Sequence, residues 1–347
     1  MKFTRLAPLI IVFATGVACT SFSIDLNQES DERWRATEGD AAEYADHFEE
    51  PEPERQTITE EVEEAPEPSV DTEPPEVEPQ EALELIVGAP QPQAHAFIVG
   101  IDEYRSVPPT PGARRDAENF AQLLQTTMGV PDQNIHLLVD NDATRTDIVA
   151  TLSMLQDQVD DDGRIYFFFS GHGTPEVQSG ESYLMPYEGR PETIEHSGIA
   201  LDEILDGLEE TPAQEVFAFV DACFSGAGDR STLPEGTRPL VPVQETEPEG
   251  DTRVAIMASS AAQEISGTTA DGDQGLFSHH LISAIGEGRA DIDGDGQISL
   301  SELHDFVAPR VARDARDLDR DQTPTISVSD ELGDPEAVML LWGLPRN

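Results

Sequence analysis

Short runs of almost unbroken apolar residues recur at 96–101, 135–139, 164–169, 216–220 and 254–258. Runs of this length with no alternating polar positions predict strands buried on both faces. Between them, apolar residues fall at helical spacing. Ala113, Ala117, Phe120, Leu123 and Leu124 follow the Pro111-Gly112 start signal, and Ile148, Leu152, Leu155 and Val159 share one face of 145–159. Residues 199–208 and 277–285 read as further helices, another starts at Ser299, and Tyr183-Leu184-Met185-Pro186 reads as a hairpin piece. Strands alternating with helices predict an α/β fold, a mainly parallel sheet flanked by helices on both faces. One domain, 94–347, accounts for all of these elements.

The chain before it has a different pattern. Between residues 25 and 93 there are 23 Asp or Glu against three Arg, with prolines dense from Pro51 to Pro92. Such a stretch cannot bury enough apolar surface to offset its ordering entropy, so 19–93 reads as an acidic, Pro-rich disordered tether. Ahead of it, Lys2 and Arg5 precede an apolar run, 6–17, which leads to Gly16-Val17-Ala18-Cys19. The run is too short to stay in a bilayer and reads as an export signal, residues 1–18.

Charge narrows the function. The 347 residues carry 70 Asp or Glu against 20 Lys or Arg, a formal net charge of −50, and Lys2 is the sole lysine. Phosphate backbones would be repelled, which excludes nucleic acid as a partner; the surplus suits a solvated surface in a salty or exposed setting.

Two of the apolar runs end in chemistry. The run 164–169 leads into Ser170-Gly171-His172-Gly173, and the run 216–220 leads into Asp221-Ala222-Cys223-Phe224-Ser225-Gly226. Ligands of open parallel sheets bind at the C-terminal strand ends. Two parallel strands ending in His172 and Cys223 would bring an imidazole and a thiol to one cleft, the minimum for nucleophilic Cys catalysis. The plainer alternatives are an inert buried Cys, a loop His and an Asp221 that bonds its local turn. Beyond Cys223, the long loop 226–253 has neither helical nor strand period and exposes Arg230 and Arg238 as candidate self-cleavage points.

A second constellation runs from Asp291 to Glu302. Asp291, Asp293 and Asp295 stand at positions 1, 3 and 5 of an EF-hand-like loop, with Gly296 at 6, the carbonyl of Gln297 at 7, apolar Ile298 at 8 and Glu302 at 12. Oxygens at those positions suit Ca2+, and the glycine permits the sharp turn. The alternative is an Asp-Gly turn that caps the following helix. No organic cofactor is expected.

The ordered set Phe97-Ile98-Val99-Gly100-Ile101, Arg115-Asp116-Ala117, Ser170-Gly171-His172-Gly173, Asp221-Ala222-Cys223-Phe224-Ser225-Gly226, Gly275-Leu276-Phe277-Ser278 and Gln322-Thr323-Pro324 resembles the caspase-like Cys peptidases, metacaspases above all. The interval from His172 to Cys223 agrees with the roughly 50 residues of caspase-type enzymes. The resemblance implies a caspase-like sheet, Cys223 as nucleophile and His172 as the group that protonates the leaving amine. It also implies an oxyanion site at the amides of Gly173 and Cys223. Asp116 and Asp221, with Ser170 nearby, match metacaspase pocket residues, and Thr110 stands where caspases carry Arg. Two pocket carboxylates favour a cationic side chain and so cleavage after Arg, with Lys second. The N-terminal end resembles bacterial lipoprotein signals, which implies lipid on Cys19 and a membrane-held protein; simple secretion is the alternative. The expectation is therefore an exported, lipid-anchored Cys endopeptidase with Ca2+ bound at 291–302. The rival is a non-catalytic calcium-binding surface module on the same fold.

Overall fold

The computed structural model describes residues 87–176, 179–224, 253–261 and 264–344. The export signal, Cys19, the tether up to residue 86, Ser225 and loop residues 226–252 lie outside the described residues.

The described elements are β1 (Ala94–Gly100), α1 (Ala113–Thr126), β2 (Ile135–Val139), α2 (Arg145–Gln158), β3 (Arg164–Ser170), β4 (Gly173–Pro175) and β5 (Ser182–Leu184). There follow α3 (Ile194–Ser197), β6 (Ile199–Ala200), α4 (Leu201–Glu209), β7 (Glu215–Asp221), β8 (Val254–Ala258) and α5 (Leu276–Gly286). The last are β9 (Gln297–Ser299), α6 (Leu300–Asp317), β10 (Thr325–Val328) and β11 (Met339–Trp342).

The main sheet has the order β10-β8-β7-β3-β1-β2, with β10 alone antiparallel. The apolar runs do what continuous hydrophobicity requires, since alternate residues enter opposite layers. Ile98, Tyr166, Phe168, Phe217 and Phe219 pack under α1, α5 and α6. Phe97, Val99, Phe167, Phe169, Val220 and Ile256 pack against α2, α3 and α4. Phe120 of α1 stacks on Phe168 with ring centroids 4.6 Å apart. Helices on both faces of a mainly parallel sheet are the arrangement the pattern predicts.

Some boundaries differ from expectation. Ile199 and Ala200 pair with Leu184 and Tyr183 and begin no helix, because the small sheet β4-β5-β6 claims their backbone groups first. The helix at Ser299 runs on to Asp317, with Ser299 and Glu302 forming a capping box. Packing also reaches back before Ala94. The N–H of Gly88 donates to Thr127 O, that of Ala89 to Trp342 O, and buried Gln91 bonds both Leu340 O and Tyr166. Residues 88–91, acidic tether by composition, thus belong to the packed unit. Among the described residues, no helix is long and apolar enough to cross a membrane.

Candidate active site

Parallel pairing of β3 with β7 sets the site. Their register matches Ser170 with Asp221, so His172 and Cys223 each stand two residues beyond the last pair, at the C-terminal edge. The two ends touch. The N–H of Gly171 donates to Asp221 O at 3.2 Å. A Cβ on Gly173 would lie 2.9 Å from the carbonyl oxygen of Cys223 and 2.8 Å from the ring of Phe224, so only glycine allows this approach.

His172 is buried and held from several directions. Its N–H donates to the Tyr104 hydroxyl at 2.7 Å, and the two rings lie 4.8 Å apart at 43°. Its Nε2 lies 2.8 Å from Pro108 O. A carbonyl only accepts, so Nε2 carries the proton and Nδ1 is left to exchange one with a reacting group.

Cys223 is 0% exposed. Its Sγ accepts the Ser266 N–H at 3.1 Å and lies 3.9 Å from the carbonyls of Glu264 and Ser266. Residues 264–266 therefore lie over the sulfur. Glu264 bonds the N–H and hydroxyl of Thr323, and Gln322 ties Gly267 N–H to Ser259 O. Among the described residues, 264–266 thus stand in the way of a peptide carbonyl approaching Sγ.

The three pocket residues converge on the start of α5. Asp116, in the first turn of α1, accepts from the Ser170 hydroxyl (3.0 Å) and the Gly275 N–H (2.9 Å) through Oδ2. Asp221 accepts from the Ser278 hydroxyl (2.7 Å) and N–H (3.3 Å). Both carboxylates are fully buried where a helix N-terminus favours negative charge. Asp221 therefore bonds a distant helix start. The neighbouring cations turn outward: Arg114 pairs with Glu118 and Asp140, and Arg115 with Asp273.

Sequence reasoning missed Tyr104, Pro108, Ser266 and the clamp at Gln322. Tyr104 and Pro108 sit in the loop after β1, where no spacing rule ties them to a histidine far along the chain. Gln322 was legible only as part of a motif.

The acidic loop is partly assembled. Ligand-type atoms of Asp291, Asp293 and Glu302 lie within 4.8 Å of one another. Asp291 Oδ1 is buried with no hydrogen-bond partner among the described residues, an unmet acceptor that a cation would satisfy. An all-oxygen set of this kind fits Ca2+. Asp295 departs from expectation, because both its carboxylate oxygens accept from Gln297, through the backbone N–H and the side-chain amide. Glu302 also serves the capping box, bonding Ser299 as well as the N–H groups of Ile292 and Asp293. Ile298 is fully buried as expected, and Gly294 and Gly296 take the left-handed turns at φ 75° and 86°. The short strand of this loop, β9, pairs with β11, which takes the place a second calcium loop would fill.

Comparison with known proteins gives the family. The chain is 24% identical over 170 residues to Metacaspase-1A of Aspergillus oryzae, covering 43% of this chain and 41% of that protein. It is 29% identical over 152 residues to Metacaspase-1 of Plasmodium falciparum, covering 40% of this chain and 25% of that one. It thus spans well under half the length of these relatives. A solved protein of Geobacter sulfurreducens superposes with a TM-score of 0.50 at 16% identity, over 72% of this chain and all of that one. The profile of the Caspase domain family matches residues 93–332, most of the described sheet and both strand ends, and the chain belongs to that family.

Proposed function

We propose that this protein is a cysteine endopeptidase that acts on peptide or protein substrates and cuts after Arg, with Lys second. The observation that carries the reading is the β3–β7 register, which sets His172 and Cys223 at adjacent strand ends with Nε2 already committed to Pro108 O. In the reaction, His172 Nδ1 takes the proton of Sγ, the resulting thiolate attacks the scissile carbonyl carbon, and the new oxyanion lies toward the amides of Gly173 and Cys223. The intermediate then collapses, the C–N bond breaks, and the amine leaves with a proton from His172 Nδ1. Water attacks the thioester, His172 takes its proton, and the acid and the thiolate are released. Buried Asp116 and Asp221, with Ser170 between them, favour a cationic side chain in the pocket, and the outward pairing of Arg114 and Arg115 supports this.

Arg-ended and Asp-ended fluorogenic peptides test the reading. Turnover of the Arg series that Cys223→Ala abolishes supports it. Activity surviving that substitution, or equal turnover of the Asp series, sinks it.

The complete burial of Sγ favours a second reading, a binding module that keeps the fold. A thiol-reactive arginyl probe separates the two, since a binding module leaves it unreacted.

Loop 291–302 would hold one Ca2+ through Asp291, Asp293 and Glu302, with Asp295 and the Gln297 carbonyl joining if Asp295 releases its bonds. The ion would stiffen the base of α6 and takes no part in the steps above. Added Ca2+ should raise the melting temperature of the wild type and leave Asp293→Ala unmoved; equal shifts remove the site.

Export and lipid attachment at Cys19 rest on residues 1–19. Cys19→Ser should shift the protein from the membrane fraction to the soluble one.

A further inference from the structure

Resting on the peptidase reading, we propose that Tyr104 is a positioning residue for His172, acting on both the backbone and the ring of the proton-handling group. Its hydroxyl accepts the His172 N–H at 2.7 Å, which fixes the histidine backbone. Its ring lies on the imidazole with centroids 4.8 Å apart, which limits rotation of the ring. The approach is built into the chain. A Cβ at Gly171 would stand 2.5 Å from the Tyr104 hydroxyl, so any other residue there would push Tyr104 away. Tyr104 is itself nearly buried at 9% exposure.

The loop that carries Tyr104 is braced at both ends. Asp140, with φ at 47°, accepts the N–H groups of Asp102 (2.9 Å) and Glu103 (3.1 Å) through Oδ1. The N–H of Thr110 donates to Asp102 O, and that of Arg105 donates to Tyr187 O. The same loop supplies Pro108 O, the acceptor for Nε2. One rigid loop therefore fixes where the histidine sits, how its ring is turned and which nitrogen holds the proton. The contribution of Tyr104 passes through His172.

Tyr104→Phe keeps the ring and removes the acceptor; Tyr104→Leu removes both. Steady-state kinetics on an Arg-ended peptide should show kcat lower by about tenfold in the first and about a hundredfold in the second, with KM within about twofold. Thermal melts run in parallel separate this from loss of fold. A merely structural tyrosine would leave the imidazole's proton distribution alone, so the deciding readout is the ¹⁵N spectrum of histidine-labelled protein, with His172 assigned by the loss of its signals in His172→Gln. The proposal expects the wild type to show the Nε2-protonated form and both variants to shift toward a mixture of tautomers. His172 signals that stay put in both variants overturn it, as does wild-type kcat in Tyr104→Leu. If the wild type and Cys223→Ala are equally inert, the peptidase reading has failed, and the ¹⁵N comparison still decides the positioning of His172 by Tyr104.

Discussion

The two ends of the parallel sheet use buried polar groups in opposite ways. At the C-terminal end, His172, Ser170, Asp116 and Asp221 are all buried and tied by bonds that cross between the loop after β1, α1, β3, β7 and α5. At the N-terminal end, Arg164 lies between the rings of Phe217 and Trp342, 5.1 and 4.8 Å from their centroids, and bonds Glu215, Tyr166 and Leu340 O. That end also buries His95 and partly buries His136, with His95 Nδ1 and His136 Nε2 lacking hydrogen-bond partners among the described residues. Imidazole at one end is oriented; at the other it is merely desolvated. The first arrangement supports chemistry and the second only stability.

Substitutions at each end can break that contrast. The largest effect is expected from Gly173→Ala, whose new methyl would press on the Cys223 carbonyl and the Phe224 ring. Turnover of an Arg-ended peptide should fall by about a hundredfold as the two strand ends are forced apart. A variant that retains full activity would show that the close approach is incidental.

Next is Glu264→Ala, which cuts the tie between the cover over Sγ and Thr323. Iodoacetamide should then label Cys223 several-fold faster, on the order of one lost charge-assisted hydrogen bond. Unchanged labelling would mean that the other ties of the segment, at Ser266 and Gly267, hold it without Glu264.

The smallest effect belongs to the other end. Burial lowers the pKa of His95 and of His136 below the ordinary 6.5; for His95 the neighbouring His136 adds to the drop and Asp160 opposes it. Because the folded values are depressed, the unfolded chain takes up protons first as pH falls below 6.5, so stability is whole above that pH and declines beneath it. His136→Gln should flatten this decline, by about 2 °C of melting temperature or less given partial solvent screening, and leave kcat unchanged. A change in kcat would mean that the two ends are not independent.

The sequence made one class of feature plain and concealed another. Both faces of β3 and β7 could be read from Ile165 to Phe169 and Val216 to Val220, since a continuous apolar run has no other stable place. The pairing of His172 with Cys223 followed from their matching strand ends. Of the small sheet only the hairpin piece at Tyr183 and Leu184, which is β5, could be read; β4, β6 and the β9–β11 pair could not, because strands of two to four residues leave no period and depend on partners elsewhere in the chain. Tyr104 escaped for a related reason: its role comes from a close approach at Gly171, and closeness across sequence has no local signature. In the acidic loop the ligand spacing was legible. The engagement of Asp295 by Gln297 was not, since a carboxylate at a ligand position can as easily bond the chain beside it.

The doubly apolar character of β3 carries a last consequence. A strand with one greasy side aligns itself, because a slip of one residue would turn that side to water; β3 has no such safeguard, as either set of aromatics finds a greasy layer. What indexes it is the polar pegs at its two tips, Arg164 on Glu215 at one and Ser170 on Asp116 at the other. The distant guanidinium is thus a vernier mark for the catalytic tip: it reads out at one end of the ladder the same alignment that Ser170 on Asp116 holds at the other.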